Sequence, residues 1–227
     1  MSMIGWVMHV SPAQIAAMRK NPDLVGELAQ AAEVGGRGRT PIPGLSPAAA
    51  RRAKELLRSK PEMLAGLPPH MRAALEARLK AMDDSSAETS SATPTGETRE
   101  SALDLHKSWH VLHYLFTGTP DSTAMPAGAL LAGEEVGEDM GYGPPRLHDV
   151  AATRSFSEFL AGLDVEKLAN RIDSGSMARA SLYAAPQGSR AAFEDDVRRE
   201  IAAYFPALRD YVAAAAAKGS GLLLWIS

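Results

Sequence analysis

Three histidines, His106, His110 and His113, recur at i, i+4 and i+7 in the stretch LDLHKSWHVLHYLF. On one helix they would fall at about 0°, 40° and −20°, a single stripe beside the apolar face. Three imidazoles so placed could hold zinc or nickel with an open position. A polar helix edge with one buried, hydrogen-bonded histidine explains the same spacing, and neither metal nor cofactor is expected. The second chemistry-bearing stretch is Gly133 to Arg146, GEEVGEDMGYGPPR. Its glycines let a backbone approach a ligand closely. Arg146 offers a planar fork for a carboxylate or phosphate, and Tyr142 a hydrogen-bond donor. With His113 nearby, a general acid–base pair could be assembled. The competing explanation is a turn-rich loop in which Arg146 pairs with Glu134 or Glu135. Trp109 belongs to the core stripe, and Lys107 lies roughly opposite it, solvated or paired with Asp104.

No G-x-S-x-G elbow, P-loop or H-E-x-x-H motif occurs. The chain has no cysteine, which removes thiolate metal sites, disulfides and cysteine nucleophiles and fits a reducing compartment.

These side chains need elements to position them. Ile4, Trp6, Met8 and Val10 share one face of a strand by period two, although Gly5 weakens it. Ser11-Pro12-Ala13-Gln14 reads as a capping box with proline at the first helical position. A second helix covers Asp23 to Glu33. Leu105, Trp109, Leu112 and Phe116, spaced 4, 3 and 4, predict a helix through the histidines. Gly118 is placed to terminate it in a left-handed conformation. Helices are expected near 148–161 and 164–172, the latter capped by Asp164, and a short strand at 180–184. Phe193, Val197, Ile201, Tyr204 and Leu208 mark a long final helix from about Ser189, kinked at Pro206. Gly219 and Gly221 end it, and Leu222 to Ile226 reads as a buried strand whose plausible partner is the N-terminal one.

Charge divides the 227 residues unevenly. Residues 36–82 carry ten Lys/Arg against three Asp/Glu, residues 83–100 one against five, and the remainder thirteen against nineteen. An acidic body is thus interrupted by a basic segment with helical patterns at 46–60 and 71–84. That segment has no aromatic residue for stacking on bases, so nucleic acid is not expected as a partner. Residues 85–100 have almost no large apolar side chain and read as a tether. No basic leader precedes the first apolar stretch and no run approaches the roughly 20 apolar residues of a membrane span, so neither a signal peptide nor membrane insertion is expected.

Two linked motifs carry a resemblance. Lys107, Trp109, Leu112 and His113 are followed by Thr117-Gly118. Then come Gly133, Glu134, Glu135, Gly137, Asp139 and Gly141-Tyr142-Gly143-Pro144, closing on Arg146. Together with the MSMIGWVMHVSPAQI start and the GSGLLLWIS end, they resemble the YfbM-like family of uncharacterised bacterial proteins. The resemblance covers roughly 1–35 and 101–227. It implies an α+β fold, a mostly helical body with a small sheet that includes the N- and C-terminal strands. Residues 36–84 then form a basic helical insertion and 85–100 a flexible tether. The resemblance implies no activity. Ala132 departs from it, standing where glycine is common.

The expectation is a cytoplasmic, non-catalytic module that binds a protein partner by charge and shape; neutralising a toxin or effector would be one version. The alternative is a ligand-binding or hydrolytic site built from His113, Glu135, Tyr142 and Arg146 against Trp109. Partner, substrate and oligomeric state are left open.

Overall fold

Alternation of apolar side chains makes the first strand, and a capping box turns the chain out of it. In the computed structural model, which describes residues 3–36, 102–182 and 190–227, β1 spans Gly5–Val10 and is buried throughout. The Ser11 hydroxyl then accepts the Gln14 backbone N–H at 3.2 Å, and the Gln14 side chain accepts the Ser11 N–H at 2.7 Å. Pro12 opens α1, Pro12–Lys20, with Arg19 and Lys20 in its last turn where they favour the helix dipole. Removing the cap by Ser11→Ala should cost about 1 kcal/mol in a denaturant titration; an unchanged midpoint would show that the box contributes nothing. Helix α2, Asp23–Gly36, follows.

Chain order then gives β2 (Leu103–His106), α3 (Ser108–Thr117), β3 (Glu134–Glu135), β4 (Arg146–His148) and α4 (Val150–Ala161). The short helices α5 (Val165–Ala169) and α6 (Ser174–Arg179), the long α7 (Arg190–Ala217) and β5 (Gly221–Ile226) complete the described residues. The strands form one sheet of order β2-β1-β5-β4-β3, every pair antiparallel. The expected pairing of the first and last strands is present, from Gly5↔Ile226 to Val10↔Gly221. The fold is α+β.

Each face of this sheet carries its own core, as period-two side chains require. Trp6, Met8, Val10, Leu147, Leu223 and Trp225 pack with α1 and α2 on one face. Val7, Leu222, Leu224 and Ile226 lie on the other, under α3, α4 and α7. Gly5 belongs to this second face. A Cβ there would stand 2.6 Å from the Trp109 Cβ, so the absent side chain is what lets the indole lie against the strand.

Gly118 terminates α3 at φ 79, as expected, and Asp164 caps α5 through the Lys167 N–H at 2.9 Å. The final helix carries the expected stripe and continues through Pro206.

Two expectations are corrected. Leu103 to His106 is a strand, not the first turn of a helix. Asp104 and Leu103 pair with Trp6 and Val7, Leu103 and Leu105 point into one core, and His106 adopts φ 50. Tertiary pairing here overrides a spacing that also fits a helix. Residues 180–182 are a turn after α6, not a strand, with Ser181 at φ 55. Asp173, which caps α6 through the Gly175 and Ser176 N–H groups, supplies the unread signal. The helical patterns at 46–60 and 71–84 and the tether at 85–100 lie outside the described residues.

No helix of the described residues is long and apolar enough to cross a membrane.

Candidate functional site

The strand correction separates the histidines. His106 ends β2, whereas His110 and His113 sit on α3, so the three share no helical stripe. His110 lies flat against Trp109, with ring centroids 4.6 Å apart, and its Nε2 is 3.2 Å from the Pro120 carbonyl. His113 is completely buried, and among the described residues neither ring nitrogen has a hydrogen-bond partner. Burial first, and His110 second, push its pKa down to about 4 against a smaller opposing pull from Asp121, so it is neutral at pH 7. Burial also lowers His148, whose Nε2–H donates to the Ala132 carbonyl at 2.9 Å. Among the described residues no group of three or more His, Cys, Asp or Glu side chains is arranged to hold a metal ion.

The glycine-rich stretch is positioned by β3 and β4. Glu135 lies opposite Arg146 and Glu134 opposite Leu147. Consecutive strand residues point to opposite faces, so the two glutamates part company. Glu134 takes both Nε and Nη2 of Arg19 on the α1 side, at 2.9 and 2.6 Å. Glu135 accepts from Nη1 of Arg146 on the other side. Between the strands the loop is shaped by Asp139, whose Oδ1 accepts the N–H groups of Gly141 (2.7 Å) and Gly143 (3.0 Å). Both glycines have positive φ, 118° and 86°, which a side chain would strain. The turn presents Tyr142 at the surface, 46% exposed, with its ring centroid 5.6 Å from that of Trp109.

Tyr142 and Arg146 open onto a cleft of about 230 Å³. Its apolar lining includes Leu224 and Ile226 of β5 and Leu130 and Leu131 from the turns before β3. Pro120 and Asp121 line it from the loop that follows α3. Arg146 reaches this face because it pairs with Leu224 in the sheet register.

Of the sequence candidates, Tyr142 and Arg146 therefore line the cleft, and Glu135 joins them through its ion pair. Trp109 supports Tyr142 from below; it is 1% exposed, and its Nε1–H donates to the Met3 carbonyl at 3.3 Å. His113 is absent from the lining and enclosed in the core. Lys107 stands at the N-cap of α3, half-buried and outside the lining, and Glu134 serves the opposite face. Asp121 and Leu131 were not among the sequence candidates. The one available signal for Asp121 was Gly118, whose left-handed turn sends the chain back over the sheet.

The arrangement offers an arginine already joined to a carboxylate, a second carboxylate, an exposed phenol and an apolar floor. Groups of this kind can engage a ligand by shape and charge.

Comparison with known proteins accords with the sheet and its two motifs. Among solved structures, a protein of unknown function, YfbM from Escherichia coli, matches with a TM-score of 0.53 at 14% identity over 99% of each chain. At that identity the likeness shows the fold alone. No curated protein matches the chain. A family model described as Domain of unknown function (DUF1877) matches residues 1–225. The chain, with its YfbM-like fold, therefore belongs to the DUF1877 family.

Proposed function

We propose that the protein is a non-catalytic binding module whose cleft at Tyr142 and Arg146 receives one anchoring side chain of a protein partner. The observation that carries this reading is the size and chemistry of the cleft. At about 230 Å³ it falls below the roughly 300–1,000 Å³ usual for small-molecule sites. It suits a single large side chain, the form in which interface anchors enter pockets. Proton transfer has little support, because the ring nitrogens of His113 are buried away from the cleft. The hydrolytic alternative would require them to reach an occupant. The cysteine-free composition suits a reducing cytoplasm, and neutralisation of a toxin or effector is one form such binding could take.

Leu131 is half-buried at the cleft and can be enlarged to fill it. Immobilised wild-type protein should retain one partner at stoichiometric level from an extract of its native host. Leu131→Trp and Tyr142→Ala should weaken that purified partner by about tenfold or more, with unchanged unfolding midpoints. Recovery of no stoichiometric partner, or wild-type affinity in both variants, would overturn the reading.

A further inference from the structure

We infer that the anchoring side chain is basic, an arginine or lysine of the partner; this rests on the reading of the cleft as a one-side-chain socket. The charges at the cleft carry the inference. Among the described residues lining it Arg146 is the one cation, and its Nη1 is bonded to Glu135. An acidic occupant would meet a guanidinium whose charge the Glu135 carboxylate already offsets, so it would gain less than from an unpaired cation. Asp121, by contrast, lines the same cleft, is exposed, and makes no ion pair among the described residues. Tyr142 adds a ring that is 46% exposed, and a cation is attracted to the face of such a ring.

The floor fits the rest of the side chain. Leu131, Leu224 and Ile226 are apolar, and arginine and lysine lay their methylene stems along apolar surface while the charged head stays in water. A purely aliphatic occupant would use the floor and leave Asp121 and the phenol unused. A basic one engages the floor with its stem and Asp121 or the ring with its head. The full chain carries 24 Lys/Arg against 27 Asp/Glu, a net charge of -3, which does not oppose encounter with a basic partner.

The test uses the full chain and three small probes: the amides of Nα-acetyl-arginine, Nα-acetyl-glutamate and Nα-acetyl-leucine. Each is titrated at low ionic strength while backbone amide shifts are followed by NMR. Ligands this small bind at about millimolar strength at best. The arginine amide should bind tightest and shift residues around 121, 131 and 142. Asp121→Asn and Tyr142→Ala should each weaken it about two- to fivefold, and added salt should weaken it further. The inference is overturned if the glutamate or leucine amide binds as tightly, if Asp121→Asn changes nothing, or if the arginine amide leaves the cleft residues unshifted. Should the probes fail while Leu131→Trp still abolishes partner binding, the basic anchor is wrong and the socket stands. Should Leu131→Trp leave partner binding intact, the socket itself is wrong.

Discussion

Trp109→Ala is expected to lower the free energy of unfolding by about 3–5 kcal/mol, the usual cost of deleting a large buried aromatic. The indole is 1% exposed, lies over Gly5 and donates from Nε1 to the Met3 carbonyl at 3.3 Å. Its removal opens a cavity between α3 and the sheet that helix and strand cannot fully close. It also removes the ring against which Tyr142 rests at 5.6 Å. Natural domains have only about 5–15 kcal/mol to lose, so the variant should unfold at much lower denaturant with an unchanged slope. A loss below about 1 kcal/mol would mean that Trp109 is a surface ligand residue and not the pillar under the tyrosine.

The second large effect is an acid dependence set by His113. Its pKa is pushed down to about 4 in the fold, against roughly 6.5 in an unfolded chain. Above pH 6.5 both states are neutral at this residue and its full contribution to stability is present. As pH falls from about 6.5 toward 4, the unfolded chain takes up the proton and the folded chain does not. Stability is lost across that window by up to about 3 kcal/mol, and below it this residue adds no further slope. His110 and His148, both lowered chiefly by burial, act in the same direction. His113→Leu removes two ring nitrogens with no partner among the described residues and keeps an apolar body of comparable size. It should raise stability at pH 7 by about 1 kcal/mol or more and flatten the decline between pH 6.5 and 4. An unaltered pH profile, or a loss of stability at pH 7 with the slope retained, would show that His113 has a polar partner in solution.

These two residues also show what was legible in the sequence and what was not. Trp109 was placed in the core by its spacing with Leu112 and Phe116, and that spacing is real within α3. The same periodicity misled at Leu105. A 4-residue strand holds only two inward positions, and Leu103 and Leu105 satisfy strand and helix patterns alike. The long strands β1 and β5 were readable because six residues suffice to show alternation or sustained burial. The capping box was readable because its chemistry is local. Strands β3 and β4, two and three residues long, carry no pattern of their own. Their existence depends on β5 offering a free edge.

The site was legible in part for the same reason. Tyr142 and Arg146 stood out by residue type within a glycine-rich loop. The division of Glu134 from Glu135 followed only once β3 was known to be a strand, since period two sends neighbours to opposite faces. Asp121 and Leu131 come from connections whose course is fixed by tertiary packing, and nothing in their own residue types marked them. His113 was drawn into the candidate site by its neighbours in sequence. The fold instead turns it inward, beside the core residues Leu112 and Phe116.

The most direct test is to map which backbone amides of the full chain become protected from hydrogen exchange when the partner recovered from the host extract is bound. The account predicts protection concentrated at the amides of residues 121–123, 141–143 and 146, with Trp6, Leu147 and the α1 surface unchanged. Protection confined to the α1 and α2 side, or to residues 46–82, with the Tyr142 loop exchanging as in the free protein, would contradict it.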